Sequence, residues 1–207
     1  MEFGWRRIWG LYGWKGLLSL NNRLFYFSMF IVAIAFILIK FSEGVIVPYD
    51  VIVNTVDLSI SILPTLLGFN LGAYALIIGF LTSKNLIIAL TKKGKDSGAS
   101  RLEIISSVFA MNVITQAFSL LVAFMIKMSI DMNMSEIMTR YGYDHRYAEN
   151  INLGILPIIL FLTLYSVVLV IQNSINIFDF SQLFTYFETK KDDLKDLNDQ
   201  VTKKPGE

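Results

Sequence analysis

The sequence predicts an all-α integral membrane fold: a four-helix bundle with both termini cytoplasmic, an interfacial N-terminal helix and a cytoplasmic C-terminal helix. Three observations carry that expectation. Four long uncharged runs, residues 24–39, 58–83, 104–126 and 150–178, interrupt the 207-residue chain. At 1.5 Å per residue they give about 24, 39, 34 and 43 Å of helix, against a hydrocarbon core of roughly 30 Å. The basic residues between the runs alternate in density. What lies outside them is a short N-terminal segment, three loops and a tail, too little for a separate globular domain.

Orientation follows from the 18 lysines and arginines. Arg6, Arg7, Lys15 and Arg23 precede the first run; Lys84, Lys92, Lys93, Lys95 and Arg101 join the second to the third; Lys190, Lys191, Lys195, Lys203 and Lys204 follow the fourth. The opposite side holds only Lys40, Lys127, Arg140 and Arg146, beside Glu43, Asp50, Asp57, Asp131, Glu136, Asp144 and Glu149. The positive-inside rule makes the basic side cytoplasmic. The expected spans are about 24–41, 58–81, 104–126 and 151–176, within a transmembrane domain of residues 24–178. The first run is short, but Arg23 and Lys40 can lay their stems along it and place their charges at the interfaces. It is read as a retained helix, because Phe41-Ser42-Glu43-Gly44 lacks the small-residue pattern of a cleaved leader.

In the N-terminal segment, residues 1–23, all three tryptophans fall within the first fourteen positions: Trp5, Trp9 and Trp14. Trp5, Ile8, Trp9 and Tyr12 share one helical face, with Arg6, Arg7 and Lys15 off it. Tryptophan favours the headgroup level and arginine meets anionic lipid, so the segment reads as an anchor lying on the bilayer. The first outer loop, residues 45–56, is dense in Val and Ile around Pro48, which predicts an extended segment or a dip into the outer interface.

The second span carries Gly68, Asn70, Gly72 and Gly79. Gly68 and Gly72 form a small-xxx-small pair, which lets helix backbones approach where lipid supplies no hydrophobic driving force. Packing within the bundle and association between subunits are both open uses. Asn70 lies near mid-membrane, where its amide needs a partner on another helix. The third span sets Asn112 and Gln116 on one face with Ser119; the fourth ends in Gln172, Asn173, Ser174 and Asn176. Interhelical hydrogen bonding is the ordinary use of such residues, and Asn112, Gln116, Gln172, Asn173 and Asn176 are also the candidate lining of a polar lumen. Ile62-Leu63-Pro64 and Ile155-Leu156-Pro157 hint at two parallel hairpins related by an axis along the membrane normal.

The loop from Thr91 to Ser100 reads as a flexible basic linker. Its Gly-Lys-Asp-Ser fragment lacks the glycine spacing of a phosphate loop. In the tail, residues 179–207, Phe180, Phe187, Leu194 and Val201 recur every seven residues, with Leu183 and Leu197 between them. The last span is therefore expected to continue as an amphipathic helix able to dock a partner.

No catalytic constellation appears anywhere in the chain. It has no cysteine, and its one histidine, His145, is in an outer loop between Asp144 and Arg146. The uncharged runs supply no proton relay or paired aspartates. No enzymatic activity, cofactor, metal or nucleic-acid partner is expected. The expected partners are lipid, a second copy of the chain and a cytosolic effector.

Residues 63–80, LPTLLGFNLGAYALIIGF, resemble the glycine-rich second span of small four-pass bacterial membrane proteins. Some of these are anti-phage defence components, such as the membrane component of the Kiwa system, the KwaA family. The resemblance implies an oligomeric sensor or anchor in the bacterial inner membrane that recruits or regulates a cytosolic effector. A pore or channel is the alternative.

Overall fold

The computed structural model describes residues 9–10, 22–42, 47–81, 84–91, 99–142 and 145–202, which hold no β-strand. Besides a helical Trp9 and Gly10, the elements are α1 (Arg23–Phe41), α2 (Pro48–Gly79), α3 (Lys84–Thr91), α4 (Arg101–Asp131), α5 (Met134–Arg140) and α6 (His145–Thr202). Four of them, α1, α2, α4 and the Glu149–Phe187 part of α6, are long and apolar enough to cross a membrane. The remaining anchor residues, Trp5 and Trp14, lie outside the described residues.

α4 and α6 overrun their expected spans at both ends, and α2 begins ten residues early. The largest correction is the first outer loop, which is helical from Pro48 onward rather than extended. Proline occupies the first turn of α2, where its missing N–H costs nothing. Ile52 and Val56 are buried against Ala123 of α4 and Leu156 and Ile159 of α6, and that packing overrides their β propensity. The stretch before the third span, expected as a flexible linker, is flanked by ordered structure on both sides. α3 buries Leu90, and Ser100 caps α4 reciprocally: its hydroxyl accepts from Glu103 N at 3.1 Å while its own N–H donates to the Glu103 carboxylate at 2.8 Å. At the other end of α4, Asn133 takes a left-handed φ of 49° and starts the turn into α5. Asn tolerates that conformation better than most residues.

α2, α4 and α6 form the core of the bundle, with α2 packed against both of the others. α1 packs chiefly on α6. The expected four-helix bundle is thus a three-helix core with a peripheral fourth helix. α1 also stands at a different height. Phe25, in its first turn, meets Phe161 and Tyr165 at ring-centroid distances of 5.2 and 5.6 Å, and Phe36 and Ile39 reach the cluster around Leu156. α1 therefore flanks the Leu156–Tyr165 half of α6, and about 22 Å of α6 continues past Tyr165 to Phe180.

The Ile-Leu-Pro repeat does not survive in register. Ser59 stands beside Thr163, so α2 and α6 run parallel with Leu63 level with about residue 167. Leu156 then lies about three turns away in height, and no axis along the bundle relates the two motifs at equal depth.

Candidate functional site

Inside the α2–α4–α6 core the side chains segregate by height. At one end Ile52, Val56, Ala123, Leu156 and Ile159 form an apolar plug. At the other, Ala73, Ile77, Leu90, Phe109 and Phe180 form a second. Between the plugs lies a polar belt: Ser59, Asn70, Asn112, Gln116, Ser119, Ser166 and Asn173 are all fully buried.

The belt is held by cross-helix hydrogen bonds. Asn70 Nδ2 of α2 donates to Gln116 Oε1 of α4 at 2.7 Å, and Gln116 Nε2 donates to the main-chain carbonyl of Ser166 on α6 at 3.0 Å. Gln116 thereby ties all three helices. One turn away, Asn112 Nδ2 donates to Asn173 Oδ1 at 2.5 Å. The Ser166 and Ser119 hydroxyls lie 3.0 Å apart, and those of Ser59 and Thr163 lie 2.6 Å apart. A buried amide is costly unless paired, so Asn70 specifies which face of α4 it meets.

Each candidate residue now has a place. Asn112, Gln116 and Asn173 are joined in the belt, while Gln172 and Asn176 are only half-buried at its α6 margin. Within the single chain Asn112 bonds Asn173 and Gln116 bonds Asn70 and Ser166, and apolar side chains close both ends of the belt, so these three do not line an open lumen there. Asn70 belongs to the inside of the bundle. Gly68, Gly72 and Gly79 do not: all three are exposed, and a Cβ built on any of them meets no atom within 4 Å. Of the two uses left open for these glycines, packing within the chain is therefore removed.

The glycines belong to a longer row. Ser61, Thr65, Gly68, Gly72, Ala75 and Gly79 alternate by four and three residues and are all exposed. They make one outward stripe of small side chains along α2. The docking stripe of the tail also needs correction at its start. Phe180 is buried in the second plug, with Leu183 and Phe187 packed against it and Phe80 5.0 Å from Phe184 between ring centroids. These residues hold α6 to the bundle. The side chains of Leu194, Leu197 and Val201 lie outside the described residues, although the α6 backbone is helical to Thr202.

Toward the Leu156 end, Lys127 of α4 bridges to Asp57 of α2 at 3.0 Å and to Asp131 at 3.5 Å. These charges are partly exposed, so the bridge locates the helices more than it stabilises them. Beside α5, Tyr141 and Tyr147 are exposed. A groove of about 280 Å³ between α2 and α4 is lined by Leu71, Tyr74, Ser106, Phe109, Ala110 and Val113 and offers little polar chemistry. Among the described residues no three of His, Cys, Asp and Glu gather as a metal site. Comparison with known protein families, curated proteins and solved structures finds no match for this chain.

Proposed function

We propose that this chain is a self-associating four-span protein of the bacterial inner membrane, both termini cytoplasmic, that works as a sensor or anchor for a cytosolic effector. One observation carries the reading: α6 is a single helix from His145 to Thr202, about 87 Å long. Its first turns carry the exposed Tyr147 near α5, its middle carries Asn173 and Ser166 of the polar belt, and it runs on past the second plug. Pro157 removes one backbone hydrogen bond near the first end, so a tilt there pivots the rest of the helix and displaces its far end. The positive-inside distribution of lysine and arginine supports the cytoplasmic placement of that far end. The outward stripe of small residues on α2 supports self-association, since close helix approach is what drives helix pairing in lipid. The KwaA-like composition of residues 63–80 supports the defence context.

Truncation after Glu188 tests recruitment. It removes the distal tail but keeps Phe180, Leu183, Phe184 and Phe187, so the second plug stays whole. The truncated chain is expected to insert and assemble normally and to lose co-purification of the effector from the native host. Retained co-purification would place recruitment on the basic loop between α2 and α4. A robust current from the purified protein alone in planar bilayers would instead favour a pore formed between copies.

A further inference from the structure

After its cross-helix hydrogen bonds are made, the polar belt still holds four buried polar atoms without a protein partner: Asn70 Oδ1, Asn112 Oδ1, Asn173 Nδ2 and Gln172 Oε1. Asn70, Asn112 and Asn173 are fully buried in the belt, and Gln172 stands at its α6 margin. Asn112 and Asn173 are bonded to each other, Asn70 is bonded to Gln116 one turn along α4 from Asn112, and Gln172 adjoins Asn173 in the chain. We propose that this cluster is an internal water-binding site, closed between the two apolar plugs.

The chemistry selects water over an ion. The unpartnered set contains acceptors and one donor, and the donor cannot be assigned away. Turning both amides of the Asn112–Asn173 pair exchanges which atoms bond, yet one N–H and one carbonyl oxygen of the pair are still left over. A bare cation needs oxygens only and would face that N–H. It would also lack a counter-charge, because among the described residues the buried polar side chains are Ser, Thr, Asn and Gln. An uncompensated charge in a low-dielectric interior is heavily penalised. An anion would meet mostly carbonyl oxygens. Water accepts from Asn173 Nδ2 and donates to two of the oxygens, and buried water typically makes about three such bonds to otherwise unpaired groups.

The test uses the intact protein in lipid nanodiscs, with side-chain amides labelled by nitrogen-15, alanine methyl groups by carbon-13, and water itself as the probe. Magnetisation transfer from water should reach the Asn173 side-chain amide protons, as it does those of exposed Asn54, and should be lost in deuterated water. The methyl group of Ala123, fully buried in the apolar plug, should receive none. An Asn173 amide as silent as Ala123 would overturn the site. Replacing sodium chloride with N-methylglucamine chloride separates the remaining case. Unchanged Asn70, Asn112 and Asn173 amide shifts support water, whereas shifts that follow the sodium ion would show a cation and overturn the assignment.

Discussion

The two faces of α2 follow the same spacing and have opposite contents. Ile52, Val56, Ser59, Leu63, Asn70, Ala73 and Ile77 point inward and are buried; Ser61, Thr65, Gly68, Gly72, Ala75 and Gly79 point outward and are exposed. Both rows step by four and three residues, the spacing of a left-handed helix seam, apart from one seven-residue step between Leu63 and Asn70 in the inward row. The inward row pairs bulk with hydrogen bonds: Leu63 and Ile77 fill space, and Ser59 and Asn70 reach polar partners on α6 and α4. The outward row removes bulk. In water, exposure and small size together would mark an unremarkable surface. In lipid they mark a face on which another backbone can come close, because exclusion of water no longer decides what is inside.

The comparison predicts a gradient of effects. Breaking the inward apolar seam should cost most. Ile77→Ala or Leu156→Ala empties a fully buried site and should lower stability by about 2–5 kcal/mol in denaturant titrations of the protein in mixed micelles. An effect below about 1 kcal/mol would mean that lipid or a neighbouring copy fills the gap as well as the side chain did. The amide link comes next. Gln116→Leu strips both Asn70 and the Ser166 carbonyl of a partner and should cost about 1–2 kcal/mol. Asn70→Leu combined with Gln116→Leu should cost less than the sum of the two single changes, as a double-mutant cycle will show if the bond is direct. The smallest effect on the single chain is expected outside. Gly68→Leu with Gly72→Leu should leave unfolding within about 0.5 kcal/mol, since nothing stands near either Cβ. The same pair should abolish assembly, read as mass by mass photometry in nanodiscs. A wild-type protein that is already monomeric would leave the outward stripe facing lipid alone.

The legibility of the sequence divides along these faces. Spans were readable because uncharged length is a one-dimensional property, and Arg23, Lys40 and Arg101 punctuate it plainly. The need of Asn70 for a partner was readable from its depth. That the partner is Gln116 was not, because spacing along one helix says nothing of which neighbour faces it. The direction of Gly68 and Gly72 was hidden for a related reason: lipid-facing and protein-facing positions are both apolar, so periodicity names a stripe without saying which way it looks. Pro48 and the valines and isoleucines after it suggested an extended loop because β propensity is weak beside burial. The Ser100–Glu103 pair is a local signal, a capping box whose S-x-x-E spacing stands out little beside a lysine-rich stretch.

The placement of α1 on α6 has a consequence for biosynthesis. Asn22, which caps α1, donates to the Tyr165 hydroxyl at 3.2 Å across 143 positions of sequence. The first span to leave the ribosome therefore docks on the last. At about 5–20 residues per second, roughly 7–30 s pass before its partner has been made. For that interval α1 must persist in lipid as a lone helix, its backbone bonds satisfied within itself. Its composition suits the wait: between Arg23 and Lys40 it carries no charge, and its Ser28 hydroxyl turns back to the Leu24 carbonyl at 2.9 Å rather than reaching for another helix. Of the core amides, Asn70 and Gln116 are both made before α6, whereas Asn112 finds its partner, Asn173, on α6 itself.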